Sequence, residues 1–222
     1  MSTKRAPFPS PPSWFLGLVG AIFATLLIGG VRPAQAAKCP NLVIILDKSG
    51  SMTSSPSGGS APPGGSKWDL AKAAIKSLLK TYDGQLPIGM ALFASDSGCG
   101  AARLDVPPDD ATATKISTLI DSRQPDSSTP TSEAINSISK EAVLHDPSRS
   151  QYILLLTDGE PNCASGEPTA TVNAITAARM QSPSITTFVL GFGALPASAA
   201  TAMDQMAVAG GAPSVGTPRK FY

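Results

Sequence analysis

The stretch Asn41–Met52, NLVIILDKSGSM, places Asp47, Ser49 and Ser51 at alternate positions directly after an apolar run. A carboxylate and two hydroxyls at the end of a buried strand suit four kinds of chemistry. They form a polar turn, carry a phosphoryl group, serve a hydrolase as nucleophile, or hold a hard cation. Two later positions offer matching oxygens: Thr129 just before Pro130, and Asp158 in Thr157-Asp158-Gly159.

Phosphoryl transfer of the haloacid-dehalogenase kind needs a second acid two residues after the aspartate. Ser49 stands there, and its hydroxyl is no general acid near neutral pH. A serine hydrolase needs a base. The only histidine is His145, expected as an exposed helix-end residue at the far end of a sheet, and no Gly-x-Ser-x-Gly elbow surrounds Ser49 or Ser51. Gly191-Phe192-Gly193 is a fragment of a dinucleotide fingerprint, late in the chain, and reads as a strand-end turn. Three scattered cysteines and one histidine lack zinc-ligand spacing. An oxygen cup remains: Asp and Ser oxygens suit Mg²⁺, which takes near-octahedral oxygen ligands and keeps several waters. Thr129 and Asp158 are the candidates to complete it.

These residues need elements to position them. Leu42–Leu46 reads as a buried parallel strand, Ile88–Ala94 as a second, Tyr152–Leu156 as the most apolar and Ile185–Leu190 as another. Arg103–Val106 is a short edge strand, closed by Pro107 and Pro108. Ser66 and Asp69 form an acidic capping box for a helix with Trp68, Ala71, Ile75, Leu78 and Leu79 on one face and Lys72, Lys76 and Lys80 on the solvated one. Further helices are expected over Thr112–Ser122, Thr131–Leu144, Pro168 to Met180 and Ala197–Ala207, the last ending at Gly210-Gly211. Residues 53–65, rich in Gly, Ser and Pro, read as a flexible loop, and Arg219–Tyr222 as the start of a last strand. The alternation predicts an α/β fold: a doubly wound, mostly parallel sheet with helices on both faces. In such sheets ligands bind beyond the carboxyl ends of the strands, where Asp47 and Asp158 both fall.

The 222 residues carry a formal net charge of +1 and 5% aromatics, which argues against a nucleic-acid partner. Lys4 and Arg5, the apolar run Trp14–Val31, Arg32-Pro33 and Ala34-Gln35-Ala36 read as a secretory signal peptide over residues 1–36, leaving a domain over 37–222. The alternative is an uncleaved membrane anchor with an extracytoplasmic domain. Lys38 stands where a lipoprotein signal wants a small residue, and no twin arginine is present. Export brings Cys39, Cys99 and Cys163 into an oxidising space, where three cysteines make one pair and one orphan.

The ordered segments DKSGSM, STPTSEAI and LLLTDGEPN resemble the von Willebrand factor type A domain, as do VLGFGALP and the stretch from MAVAGG to the final FY. The resemblance runs from about Asn41 to the end. It implies a Rossmann-like fold and a metal-ion-dependent adhesion site at Asp47, Ser49, Ser51, Thr129 and Asp158. In that family the serines, and often the threonine, touch the metal, and the aspartates act largely through water. The cation stays electrophilic and takes an Asp or Glu carboxylate from a partner protein. The implied function is an exported, Mg²⁺-dependent protein-binding or adhesion module without turnover; Mn²⁺ or Ca²⁺ are the alternative cations. A second reading is an accessory subunit of a metal-inserting or ATPase complex, which the signal peptide opposes, and a hydrolase comes last. The sequence departs from the family in its long 53–65 loop. It also stops where the family adds a final helix after the strand at Arg219–Tyr222, so a truncated fold is expected. Cys99 and Cys163 both follow strands at the metal end and are expected to form a disulfide; Cys39, at the opposite end, is expected free or bonded to another molecule.

Overall fold

The chain divides after Ala36. The computed structural model describes residues 38–94, 98–126, 128–159 and 161–222. The signal peptide expected over 1–36 lies outside them.

Strand β1 (Asn41–Asp47) is hydrophobic on both faces because both are covered. Val43 and Ile45 point into one core, and Ile44 and Leu46 into the other. β2 (Ile88–Phe93) and β4 (Gln151–Thr157) flank β1 in parallel, and β5 (Ile185–Gly191) adds in parallel beyond β4. β3 (Arg103–Asp109) closes the other edge, antiparallel to β2, for a strand order β3-β2-β1-β4-β5. Helices α1 (Lys67–Tyr82) and α2 (Ala113–Asp121) cover one face. Helices α3 (Thr131–Ile138), α4 (Thr169–Arg179) and α5 (Ala197–Gly210) cover the other. This is the doubly wound architecture expected. The chain leaves β1 toward β2 on one side and later returns to β4 on the other, so β1 is the topological switch point.

The capping box of α1 forms as expected: the Ser66 hydroxyl accepts from the Asp69 amide at 3.1 Å, and an Asp69 oxygen accepts from the Ser66 amide at 3.2 Å. Trp68, Ala71, Ile75 and Leu79 are buried and Leu78 packs beside them. Fully burying one such aliphatic side chain contributes roughly 1.5–3 kcal/mol. Among the described residues no helix is long and apolar enough to cross a membrane.

Three expectations are corrected. Pro107 and Pro108 do not end β3, which runs on to Asp109. An edge strand tolerates missing N–H donors. The ladder is irregular there, and a side chain at Gly89 would come within 2.7 Å of the Pro108 ring. Helix α3 stops at Ile138 instead of Leu144; a 3₁₀ turn over Ala142–His145 then brings Leu144 back into the core. Residues 53–65 form a loop with backbone contacts of its own. Ser54 and Ser60 pair antiparallel, the Ser55 amide donates to the Gly59 carbonyl at 3.0 Å, and Ala194 donates to the Pro56 carbonyl at 2.7 Å. Arg219–Tyr222 is not a regular strand, although Tyr222 exchanges two hydrogen bonds with the β5 edge, at Val189 and Gly191.

Candidate metal centre

Because β1 and β4 are neighbours in register, with Leu46 opposite Leu156, their carboxyl ends lie side by side. Asp47 ends β1 fully buried, and its two oxygens are held separately. Oδ1 accepts from the Ser49 amide at 2.8 Å, and Oδ2 accepts from the Thr157 hydroxyl at 2.6 Å. The backbone then turns through Lys48, and a 3₁₀ turn over Gly50–Thr53 sets Ser51 beside Ser49. The two hydroxyls are 3.0 Å apart, and Ser51 donates to Asp158 Oδ1 at 2.7 Å. Asp47, Ser49, Ser51 and Asp158 are thus joined through short hydrogen bonds and the Asp47–Thr157 contact.

Thr129 reaches the same place from a different loop. It lines, with Ser51 and Asp158, an open cleft of about 420 Å³. Its loop is pinned at two points. Asp126 donates its amide to the Lys48 carbonyl at 2.8 Å and pairs its carboxylate with the Lys48 ammonium. The Thr129 amide donates to Asn162 Oδ1 at 2.9 Å. All five residues singled out in the sequence therefore gather at the carboxyl ends of β1 and β4.

Burial pushes the Asp47 carboxyl up to about 6. Hydrogen bonds from Ser49 and Thr157 oppose the shift, and the charge of Asp158 adds to it. A buried carboxylate with a second one nearby favours a counter-cation. Among the described residues no three His, Cys, Asp or Glu side chains cluster as a metal site, so a cation here depends on hydroxyl oxygens as well. Two carboxylates and three hydroxyls are the donor chemistry of a hard divalent ion, and the residue set fits one.

Four supporting residues are not among those singled out in the sequence. Lys67, the first residue of α1, places Nζ 2.6 Å from Asp158 Oδ2. Asn162 and the Lys48–Asp126 pair hold the Thr129 loop. Only the local signal at Lys67, a cation at the start of a capped helix, was visible, and nothing in the sequence tied it to Asp158.

Cys99 and Cys163 form a disulfide, their Cα atoms 5.5 Å apart, joining the loops after β2 and β4. Cys39 is exposed and unpaired before β1, at the opposite end of the sheet. His145 is exposed, with Nε2 3.1 Å from the Ser139 carbonyl. It precedes the amino end of β4, a full strand length from Asp158.

A mostly parallel sheet wound about β1, with a polar cluster at the strand carboxyl ends, defines a Rossmann-like domain with a switch-point site. The pattern of the von Willebrand factor type A domain matches residues 41–216, and the chain belongs to that family. No curated protein sequence matches the chain. Solved structures share the fold. Manganese-loaded TRAP protein of Plasmodium vivax superposes with a TM-score of 0.57 at 16% identity, over 84% of this chain and 68% of that one. Proximal thread matrix protein 1 from the mussel byssus gives 0.54 at 15%, over 76% and 41%. The pilus adhesin SpaC from Lactobacillus rhamnosus GG gives 0.54 at 19%, over 71% and 25%. The chain thus spans less than half of the mussel protein and a quarter of the adhesin.

Proposed function

We propose that this domain is a divalent-cation-dependent docking module that binds a partner protein through an Asp or Glu carboxylate. Mg²⁺ is the proposed cation, with Mn²⁺ and Ca²⁺ as alternatives. The observation that carries the reading is the Ser49–Ser51–Asp158 hydrogen-bonded chain beside buried Asp47. Ser49, Ser51 and Thr129 would hold the cation through hydroxyls, and Asp47 and Asp158 largely through water. When bound, the cation supplies an electrophilic point for an incoming carboxylate. Asp47 orients the Ser49 backbone, Thr157 fixes Asp47, and Asp158 orients the Ser51 hydroxyl. The cleft leaves this end of the sheet open to a partner.

Among the similar folds, the mussel protein is also known with a zinc-occupied MIDAS motif and the Plasmodium protein is manganese-loaded. A pilus adhesin and a byssus protein act outside cells, which supports an exported role here. The basic-apolar N-terminal segment points the same way, either cleaved or kept as an anchor. A docking role needs no general base, and His145 lies far from the cluster.

The test is capture of extracellular proteins on the immobilised domain. Binding is expected with Mg²⁺, loss with EDTA, and loss again in Ser51→Ala combined with Thr129→Val. Full capture in EDTA contradicts the proposal.

A further inference from the structure

Both oxygens of Asp158 are engaged. Oδ1 accepts from Ser51 at 2.7 Å and Oδ2 from the Lys67 ammonium at 2.6 Å. The Lys67 side chain is 10% exposed and that of Asp158 is 0% exposed, so salt and water screen the pair weakly. A lysine is seldom buried without a partner, because its compact charge is strongly hydrated. Here the fold holds it in place. Lys67 opens α1 behind the Ser66–Asp69 capping box, and its amide donates to the Ser54 carbonyl at 2.9 Å. Its stem packs on Gly193, a residue at φ +80°, where an added Cβ would lie 3.2 Å from Lys67 Cε. Lys48, the residue after Asp47, pairs its ammonium with Asp126.

We propose that Lys67 is an internal counter-cation that weakens the site's hold on a divalent cation and leaves the bound cation with surplus positive charge. The inference rests on reading the cluster as a divalent-cation site. Asp47 and Asp158 together would neutralise a divalent ion. With Lys67 added, the loaded site carries one net positive charge, which an external carboxylate can then neutralise. The same ammonium repels the cation and occupies Asp158 Oδ2. Lys67 is a positioning and affinity-setting residue, and not itself a ligand.

The test is calorimetric titration of Mg²⁺, and separately Mn²⁺, into metal-free wild type, Lys67→Met, Lys67→Gln and Lys67→Arg. The neutral variants are expected to bind at least about tenfold tighter, since a like charge within the site is removed, while Lys67→Arg stays near wild type. The rise in Tm on adding Mn²⁺ should be larger in Lys67→Met and Lys67→Gln than in wild type, which a purely structural lysine would not cause. Lys67→Gln keeps a donor for Asp158 and decides the matter should Lys67→Met fail to fold. Wild type that binds while the folded neutral variants bind no tighter overturns this proposal alone. Wild type that binds neither cation overturns the metal reading and this proposal with it.

Discussion

Thr129 and Asn162 hold each other by two hydrogen bonds: the Thr129 amide donates to Asn162 Oδ1 at 2.9 Å, and the Asn162 amide donates to the Thr129 carbonyl at 3.2 Å. The residue next to Asn162 is Cys163, whose disulfide ties this loop to the one after β2. Thr129 therefore owes its position to a loop 33 residues away in sequence. Asn162→Ala removes one of the two bonds and replaces no proposed ligand residue. Supporting residues of this kind typically change metal affinity by about 10–100-fold. Mg²⁺ affinity in Asn162→Ala is expected to fall by about tenfold, measured by calorimetry. An unchanged constant would show that Thr129 is held by other means or is not a ligand.

The Cys99–Cys163 bond closes a 64-residue separation. A disulfide constrains the unfolded chain and typically stabilises by on the order of 2–4 kcal/mol. The double variant Cys99→Ser/Cys163→Ser should lose that much in urea unfolding. Mild reduction of the wild type should reproduce the loss. Equal stability of reduced and oxidised protein would rule out a stabilising role for the bond.

The start of α1 offers a test independent of any cation. Ser66→Ala removes the acceptor for the Asp69 amide and is expected to cost about 1 kcal/mol. Fluorescence of Trp68, buried two residues along, reports the unfolding. Because Lys67 follows the cap directly, the same variant should also disturb the Lys67–Asp158 pair. A stability equal to wild type would mean that packing of Trp68, Ala71 and Ile75 alone fixes the helix start.

His145→Ala separates docking from catalysis. His145 hydrogen-bonds to Ser139 and belongs to the turn before β4. Divalent-cation binding and partner capture are expected to stay within about twofold of wild type, as for a surface substitution away from special features. A large loss of either would place a function at the amino end of the sheet, against the present account.

The sheet was legible in the sequence because buried parallel strands are short, continuous apolar runs, as Leu42–Leu46 and Ile153–Leu156 are. The polar turn was legible because Asp47, Ser49 and Ser51 are local to one another. Their convergence with Asp158 follows from the pairing of β1 with β4. What stayed hidden depends on distant pairing. Lys67 meets Asp158 across 91 residues and Lys48 meets Asp126 across 78, and no local pattern marks either. The end of α3 is hidden because Ala142 and Val143 keep helical apolar spacing from Ile135 and Ile138 while the backbone has already left the helix at Ser139. The loop over 53–65 reads as flexible by composition, and nothing local to it marks its contact with the turn at Gly193 and Ala194.

A divalent cation is proposed at the carboxyl ends of β1 and β4. Anomalous diffraction from crystals of the protein grown with Mn²⁺ tests it most directly. A peak is expected bounded by the Ser49 and Ser51 hydroxyls, Thr129, Asp47 and Asp158, and absent from crystals grown in EDTA and from Ser51→Ala/Thr129→Val. Saturating Mn²⁺ with no peak at that position, or with manganese bound only elsewhere, would contradict it.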